Sequence, residues 1–526
     1  MKKALTFLLL ALTPAIAAEA PVYDLGPPVA KIGAELKPHE RIDELVLTQL
    51  TELGLKPANL SSDAVFVRRA FLTVIGTLPT EQEARGFAAA KQPDKRAQLI
   101  EILLQRPEFT DFWAMKFGDI LRVKAEFPIK LWPNAVQAYH RFIHTSVREN
   151  KPLHLFTRQL LLANGSNFRE GEVNFYRAMQ DRSPKGIAAT VALTFMGERA
   201  DKWPVKKLEA MSGFFAQVAF KSTAEWKEEI VYFDPTADKD GLTKHAMMPD
   251  GLAVNIKTGL EDPRAIFSEW LLRPENPWFS KNWANRIWGW LMGRGIVHEP
   301  DDFRADNLPS NPALLAFLEK EFATSKCDLR HLFRIILNSQ VFQLSSVPVQ
   351  DTAAAVAHFA HYPLRRLEAE VLIDALNQIT ATKETYSSPI PEPFTFIPEN
   401  VRGIALADGS ITSSFLELFG RPPRDTGYDS ERNQSTSPPQ RLHLLNSSHV
   451  LGKIKECPLV TEADGGDHDL NKLADKIYHT LLARAPTTQE IETLKAHMTA
   501  TYSSGSSLAA DIVWALINQP EFYFNH

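Results

Sequence analysis

The sequence predicts a mainly α protein: two helical domains with long irregular connectors and one helical-hairpin unit used more than once. Three observations carry that expectation. Apolar residues recur at intervals of three and four over most of the 526 residues. Strand-like runs are few, "EEIVYF" and "FTFI" being the best candidates. A Pro-Thr-x-x-Glu helix-start signal, followed by a helix that closes on Pro-Glu-Phe, stands near both ends of the chain.

Taken in order, Lys2 and Lys3 precede an apolar run, Ala4 to Leu12, too short to cross a bilayer stably, and small residues follow at Ala15, Ala17 and Ala18. This reads as a signal peptide over residues 1–18, and no cysteine near Ala17 offers a lipid anchor. No later run reaches spanning length, so the mature protein is expected to be soluble and periplasmic or secreted. An N-terminal helical domain is expected over 36–222, where "RIDELVLTQLTELGL" sets Ile42, Leu45, Val46, Leu50 and Leu53 on one stripe. The capping box Thr80 to Glu83 starts a helix pair that ends at Pro107-Glu108-Phe109. Residues 223–262, rich in Asp, Gly and Pro, read as a connector with a short hairpin. A C-terminal helical domain over 263–526 closes on a second copy of the hairpin unit, 470–526, with its capping box at Thr487 to Glu490 and its Pro-Glu-Phe at 520–522. "FRIILNSQVF" resembles the second half of the unit alone. Between Thr385 and Asp408, prolines are broken by aromatics, a composition that fits a segment wrapping a surface rather than a free linker. A chain of this length is expected to build a core in each domain.

The formal net charge of -5 and a pI near 6.3, without a basic run, give no footprint for nucleic acid. The two cysteines, Cys327 and Cys457, cannot form a disulfide framework, and a bond between them is not expected. Nucleophile elbow, phosphate loop, His-Glu-x-x-His and Cys-x-x-Cys patterns are all missing. Asp234, Asp238 and Asp240 lie in an oxygen-rich loop, but a calcium loop needs a later bidentate glutamate, so a solvated turn is the better reading. His140 and His144 share a helix face at metal-ligand spacing with no third ligand fixed nearby, and no metal site is assigned. Glu370 and Asp374 also share a face, with Arg366 placed to pair with Glu370 at i,i+4; structural bracing is expected.

The densest chemistry lies in two stretches. "NRIWGWLMGRGIVHEPDDFR" holds Arg286, Arg294, Asp301, Asp302 and Arg304, and "FGRPPRDTGYDSERNQS" holds Arg421, Arg424, Asp425 and Glu431. Guanidinium forks and carboxylates in irregular backbone either lock the loops internally or line a pocket for an anionic or hydroxyl-rich ligand. Bracing around such a pocket is the expectation. Trp283, Trp288 and Trp290 form the candidate interaction surface, expected to be partly exposed and rimmed by charge.

These same stretches, with "FVRRAFLTVIGTLPTEQEARGF", "NFYRA", "LRRLEAEVLIDAL" and "QRLHLLNSSHV", resemble an exported planctomycete-type family, described as cytochrome-c-associated. It joins domain of unknown function 1549 to domain of unknown function 1553, and the likeness covers nearly the whole mature chain. Many members carry Cys-x-x-Cys-His, the motif that attaches haem covalently. Here "FMGERADKWPVKKLEAMSGFF" keeps the flanks without either cysteine or the histidine. Covalent haem is therefore not expected, and no cofactor is assigned. The family resemblance implies a protein partner, an exported protein of sulfatase-like fold. Two readings stay open: an interaction or scaffold protein of the cell envelope, or an enzyme or binding protein for anionic or polyhydroxylated, polysaccharide-derived substrates.

Overall fold

A computed structural model describes residues 26–30, 33, 36–256, 261–463 and 469–526. The expected signal peptide lies outside them. Among the described residues no helix is long and apolar enough to cross a membrane.

The protein is mainly α, as its periodicity requires. Helices Pro38–Glu52, Asp63–Val74, Glu81–Ala89, Lys95–Gln105, Pro107–Ile120 and Pro133–Arg148 follow one another with short turns. Both capping boxes form: Thr80 receives the Glu83 amide and Thr487 the Glu490 amide, with each glutamate returning to the threonine amide. The two hairpin units share a further device. Arg106 ties the capping Glu83 (2.6 Å) to Glu108 of Pro-Glu-Phe (2.7 Å). Arg484 ties Glu490 (2.8 Å) to Glu521 (2.6 Å) in the same way. The arginines sit at different places in the two sequences, so the arrangement recurs although the spacing does not. Thr487→Ala should lower the unfolding free energy by about 1 kcal/mol in urea titration, because one helix-end amide loses its acceptor.

Strands are few. β1 (Gly165–Ser166), β2 (Val218–Ser222) and β3 (Glu229–Phe233) form an antiparallel sheet ordered β1-β3-β2, with Gly165 opposite Val231 and Val218 opposite Phe233. "EEIVYF" thus supplies β3, whose hairpin partner β2 precedes the expected connector 223–262 rather than lying within it. "FTFI" forms no strand; Phe394 and Thr395 instead donate their amides back to Pro391 in a turn. β4 (Arg365–Arg366) pairs antiparallel with β5 (Phe524–Asn525).

Instead of a core for each domain, apolar side chains from both halves pack into one contiguous cluster. Trp113 of the Pro107–Ile120 helix meets Phe333 at 4.5 Å and Trp290 at 5.4 Å between ring centroids, and Phe117 meets Trp283 at 5.4 Å. Trp283 and Trp288 are fully buried and only Trp290 is partly exposed, which corrects the expectation of a tryptophan interaction surface on that helix. The physical reason is that Phe279–Met292 runs through the interior, where even its polar Asn282, Asn285 and Arg286 are buried on internal hydrogen-bond partners. Both cysteines are buried and free.

Candidate functional site

The helix Phe279–Met292 stops where Gly293 takes a left-handed conformation (φ +74°). The loop after it is pinned from within: Asn285 donates to the Val297 carbonyl (3.0 Å) and accepts from its amide (2.9 Å). That places Asp301, with no exposed surface, beside the second motif. One Asp301 oxygen accepts from Arg199 (2.6 Å) and the other from the Asp429 amide (2.8 Å). Arg286, also buried, donates to the Asp429 carboxylate at 2.9 Å. The two charged stretches therefore do converge, and they converge on each other.

Behind this contact lies a larger charged cluster. Asp119, near the end of the Pro107–Ile120 helix, accepts from Arg424 (2.9 Å) and Arg432 (2.7 Å). Arg432 bridges onward to Glu370 (2.7 Å) and Glu368 (3.2 Å), and Glu368 also holds Lys116. Arg424 completes its fork on the carbonyls of Ala407 (2.8 Å), Val123 (3.3 Å) and Met115 (3.3 Å). Gly118 and Gly409 leave the room for it: a Cβ on Gly409 would stand 2.9 Å from the Arg424 side chain. Arg421 donates to the carbonyls of Ile411 and Asp408 and lies 3.5 Å from Glu370.

The remaining candidates are peripheral. Asp425 receives Lys124 (2.6 Å), and Glu431 accepts the Thr426 amide (2.7 Å). Asp302 and Arg304 pair at 3.1 Å, with Arg304 largely in solvent. Arg294 is half-buried with no carboxylate partner among the described residues. Eight of these nine residues are engaged by internal partners rather than turned toward an open pocket, and Arg294 is the exception.

Electrostatics follows burial and partner. Burial pushes the Glu370 carboxyl up, but Arg432 and Arg421 outweigh it and hold the group at about 2. Burial pulls Arg421 down to about 10, whereas Arg432, facing Asp119, Glu370 and Glu368, holds its proton more firmly than a free arginine despite burial. Burial raises Asp429 against the opposing pull of Arg286. Asp374 is pushed by burial to about 6 while it accepts the amides of Gly403 (2.7 Å) and Ile404 (3.1 Å). Glu370 and Asp374 thus serve as braces, but not through the expected i,i+4 pair: Arg366 turns away to the carbonyls of Leu367, Phe419 and Asn433.

The weaker sequence candidates resolve into local roles. Asp234 accepts the Thr236 amide (2.8 Å), and Asp238 accepts those of Leu242 and Thr243 (both 2.8 Å), so they close turns. His144 faces Asp111 at 3.1 Å, while burial pushes His140 down to about 4 and keeps it neutral. No group of three or more His, Cys, Asp or Glu suited to a metal ion occurs among the described residues.

A surface feature was missed by sequence reasoning. Trp132, Trp226 and Phe394 come from three separate segments and meet with ring centroids 4.6, 5.4 and 5.6 Å apart. Trp226 is 57% and Phe394 45% exposed. Lys227 lies 5.5 Å from the centroids of both tryptophans. The Thr385–Asp408 segment, expected to wrap a surface, brings Phe394 there. The buried Asp408 fastens its end by accepting the Ala125 amide at 2.9 Å. The signal in the sequence is a lone tryptophan among charges, "AEWKEE".

Comparison with known proteins adds no activity. Neither a curated protein nor a solved structure matches the chain. Two family models do: a protein of unknown function, DUF1549, over residues 41–218, and a protein of unknown function, DUF1553, over residues 263–498. The charged network joins the two matched segments, with Asp119 and Lys116 in the first and Arg286, Glu368, Glu370 and Arg432 in the second; the chain belongs to the family that pairs DUF1549 with DUF1553.

Proposed function

We propose that this is an exported interaction protein of the cell envelope, a scaffold whose contact surface is the Trp132–Trp226–Phe394 cluster. The observation that carries the reading is the contrast between inward and outward groups. Arg286, Arg421, Arg424 and Asp301 are engaged by internal partners. Meanwhile three large rings that could have been buried stand together at the surface. Clustered exposed aromatics are the usual anchors of protein contacts. Lys227 lies over both tryptophans beside the exposed Glu225, so the patch favours a partner that presents apolar side chains within a rim of mixed charge. An exported protein of sulfatase-like fold is the partner proposed from the family resemblance. Haem has no place in this reading, since the attachment motif is missing from 195–215.

The test begins with the tagged protein purified from its host's envelope and its stoichiometric companion identified. The complex is then rebuilt from separately purified components and titrated. Trp226→Ala with Phe394→Ala should weaken it by about 100-fold or more. Absence of any stoichiometric protein, or equal affinity for the double variant, would sink the proposal.

A further inference from the structure

Two histidines meet away from both the charged network and the aromatic surface. His443 stands on the helix Pro438–Asn446 and His449 on the next one, Ser448–Glu456. Their rings approach nitrogen to nitrogen, His443 Nε2 to His449 Nδ1, at 3.2 Å. The other nitrogen of His449 faces a carboxylate oxygen of Glu384 at 2.8 Å. The same oxygen lies 3.5 Å from Lys453, which is itself held by Asn377 (2.8 Å) and the Lys383 carbonyl (2.7 Å). Phe415 and Phe419 close another side with uncharged rings, 5.6 and 6.1 Å from the His443 ring. The helix Gly505–Ile517 reaches Pro438–Asn446 through the neutral Trp514, which donates to the Leu445 carbonyl (2.8 Å). Glu384 and Lys453 are thus the charged groups that face the pair. The His449 side chain keeps 31% of its surface in solvent, so protons reach the pair from outside.

The proton inventory follows from these contacts. Burial alone would raise the Glu384 carboxyl, but His449, Lys453 and Ser413 outweigh it and hold it below its ordinary value. Glu384 is therefore ionised at neutral pH and takes the Nε2–H of His449. That leaves His449 Nδ1 bare, to accept from His443 Nε2–H. One added proton settles on the outer nitrogen of His443, and a donor still faces an acceptor. A second proton puts N–H on both facing nitrogens and two positive charges at hydrogen-bond distance, and the contact opens.

We propose that the chain Glu384–His449–His443 is an acid-operated latch, which fastens the helix Pro438–Asn446 at neutral pH and releases it once both imidazoles are protonated. What it fastens is a junction. Gln440 on this helix donates to the Leu418 carbonyl (2.9 Å) and accepts from the Tyr523 hydroxyl (3.0 Å), so the helix ties the end of the C-terminal hairpin unit to the Ser414–Leu418 helix. Burial, and then His449, hold His443 below its ordinary value against the pull of Glu384. The folded protein takes up this proton later than the unfolded chain. The contribution to stability is therefore complete above about pH 6.5 and is lost as the pH falls. The latch does not depend on the protein partner proposed above.

Hydrogen exchange of the full protein, read by mass spectrometry at about pH 7.5 and about pH 5 and corrected for the intrinsic pH dependence, tests it. Protection of residues 438–446 should fall by about tenfold or more at the lower pH, relative to the histidine-free helix Lys95–Gln105. His443→Gln keeps an amide donor toward His449 and has no proton to gain, so it should stay protected at both pH values. Should it lose protection already at the higher pH, His449→Gln decides, because its amide can donate to Glu384 and accept from His443. Equal protection of the wild-type helix at both pH values overturns the proposal. So does a wild-type-sized loss at low pH in the deciding variant.

Discussion

Arg432→Met is expected to lower the unfolding free energy by about 3–5 kcal/mol, the usual loss when one partner is removed from a buried ion cluster. Arg432 is the cation shared by Asp119, Glu370 and Glu368. Without it Glu370, which has no exposed surface, keeps Arg421 at 3.5 Å as its one cation among the described residues. Urea unfolding at neutral pH measures the loss. The pH dependence gives a second reading. Glu370 is held at about 2 in the folded protein, below its ordinary value. Its stabilising contribution is therefore complete above the usual carboxylate range and disappears as the pH falls toward 2. Removing Arg432 should raise the folded-state value, so the destabilisation relative to wild type should shrink as the solution is acidified. A constant difference between pH 7 and pH 3 would contradict the assigned pairing.

Trp283→Ala should cost a similar amount, about 3–5 kcal/mol, as expected for emptying a buried aromatic site. The ring has no exposed surface and packs on Phe117 at 5.4 Å and on Trp290 at 6.4 Å. Among the described residues its indole nitrogen finds no acceptor. Trp283→Phe, which removes that orphaned N–H and part of the volume, should therefore be much milder than alanine. A residue presented to a partner would show the reverse pattern, with binding lost and urea unfolding scarcely changed.

These two residues show what could be read in advance. The helix starts were legible because a capping box is local: Thr80 with Glu83 and Thr487 with Glu490 behave as their spacing requires. Internal bracing by arginine was legible from composition, since irregular backbone carrying many polar groups needs partners. Partner identity was not. Asp119 and Arg432 meet across 313 residues and Arg199 and Asp301 across 102, distances over which no periodicity operates. For Trp283 and Trp288 the helix pattern misled, because Lys281, Asn282, Asn285 and Arg286 suggest a polar face and only the fold buries Asn282, Asn285 and Arg286. The Trp132–Trp226–Phe394 cluster had a weaker signal, because each ring lies in a different irregular stretch and only the fold brings them together. Arg366 read as an i,i+4 partner for Glu370, and the carbonyls it takes instead, of Phe419 and Asn433, lie 53 and 67 residues away.

In the proposed reading, charged motif residues hold the fold and the exposed rings meet the partner. The most direct test measures unfolding free energy and partner affinity together for Trp226→Ala/Phe394→Ala. The expected result is an affinity loss of about 100-fold with stability changed by no more than about 1 kcal/mol. Full affinity in a folded double variant would contradict the account and return attention to the charged loops.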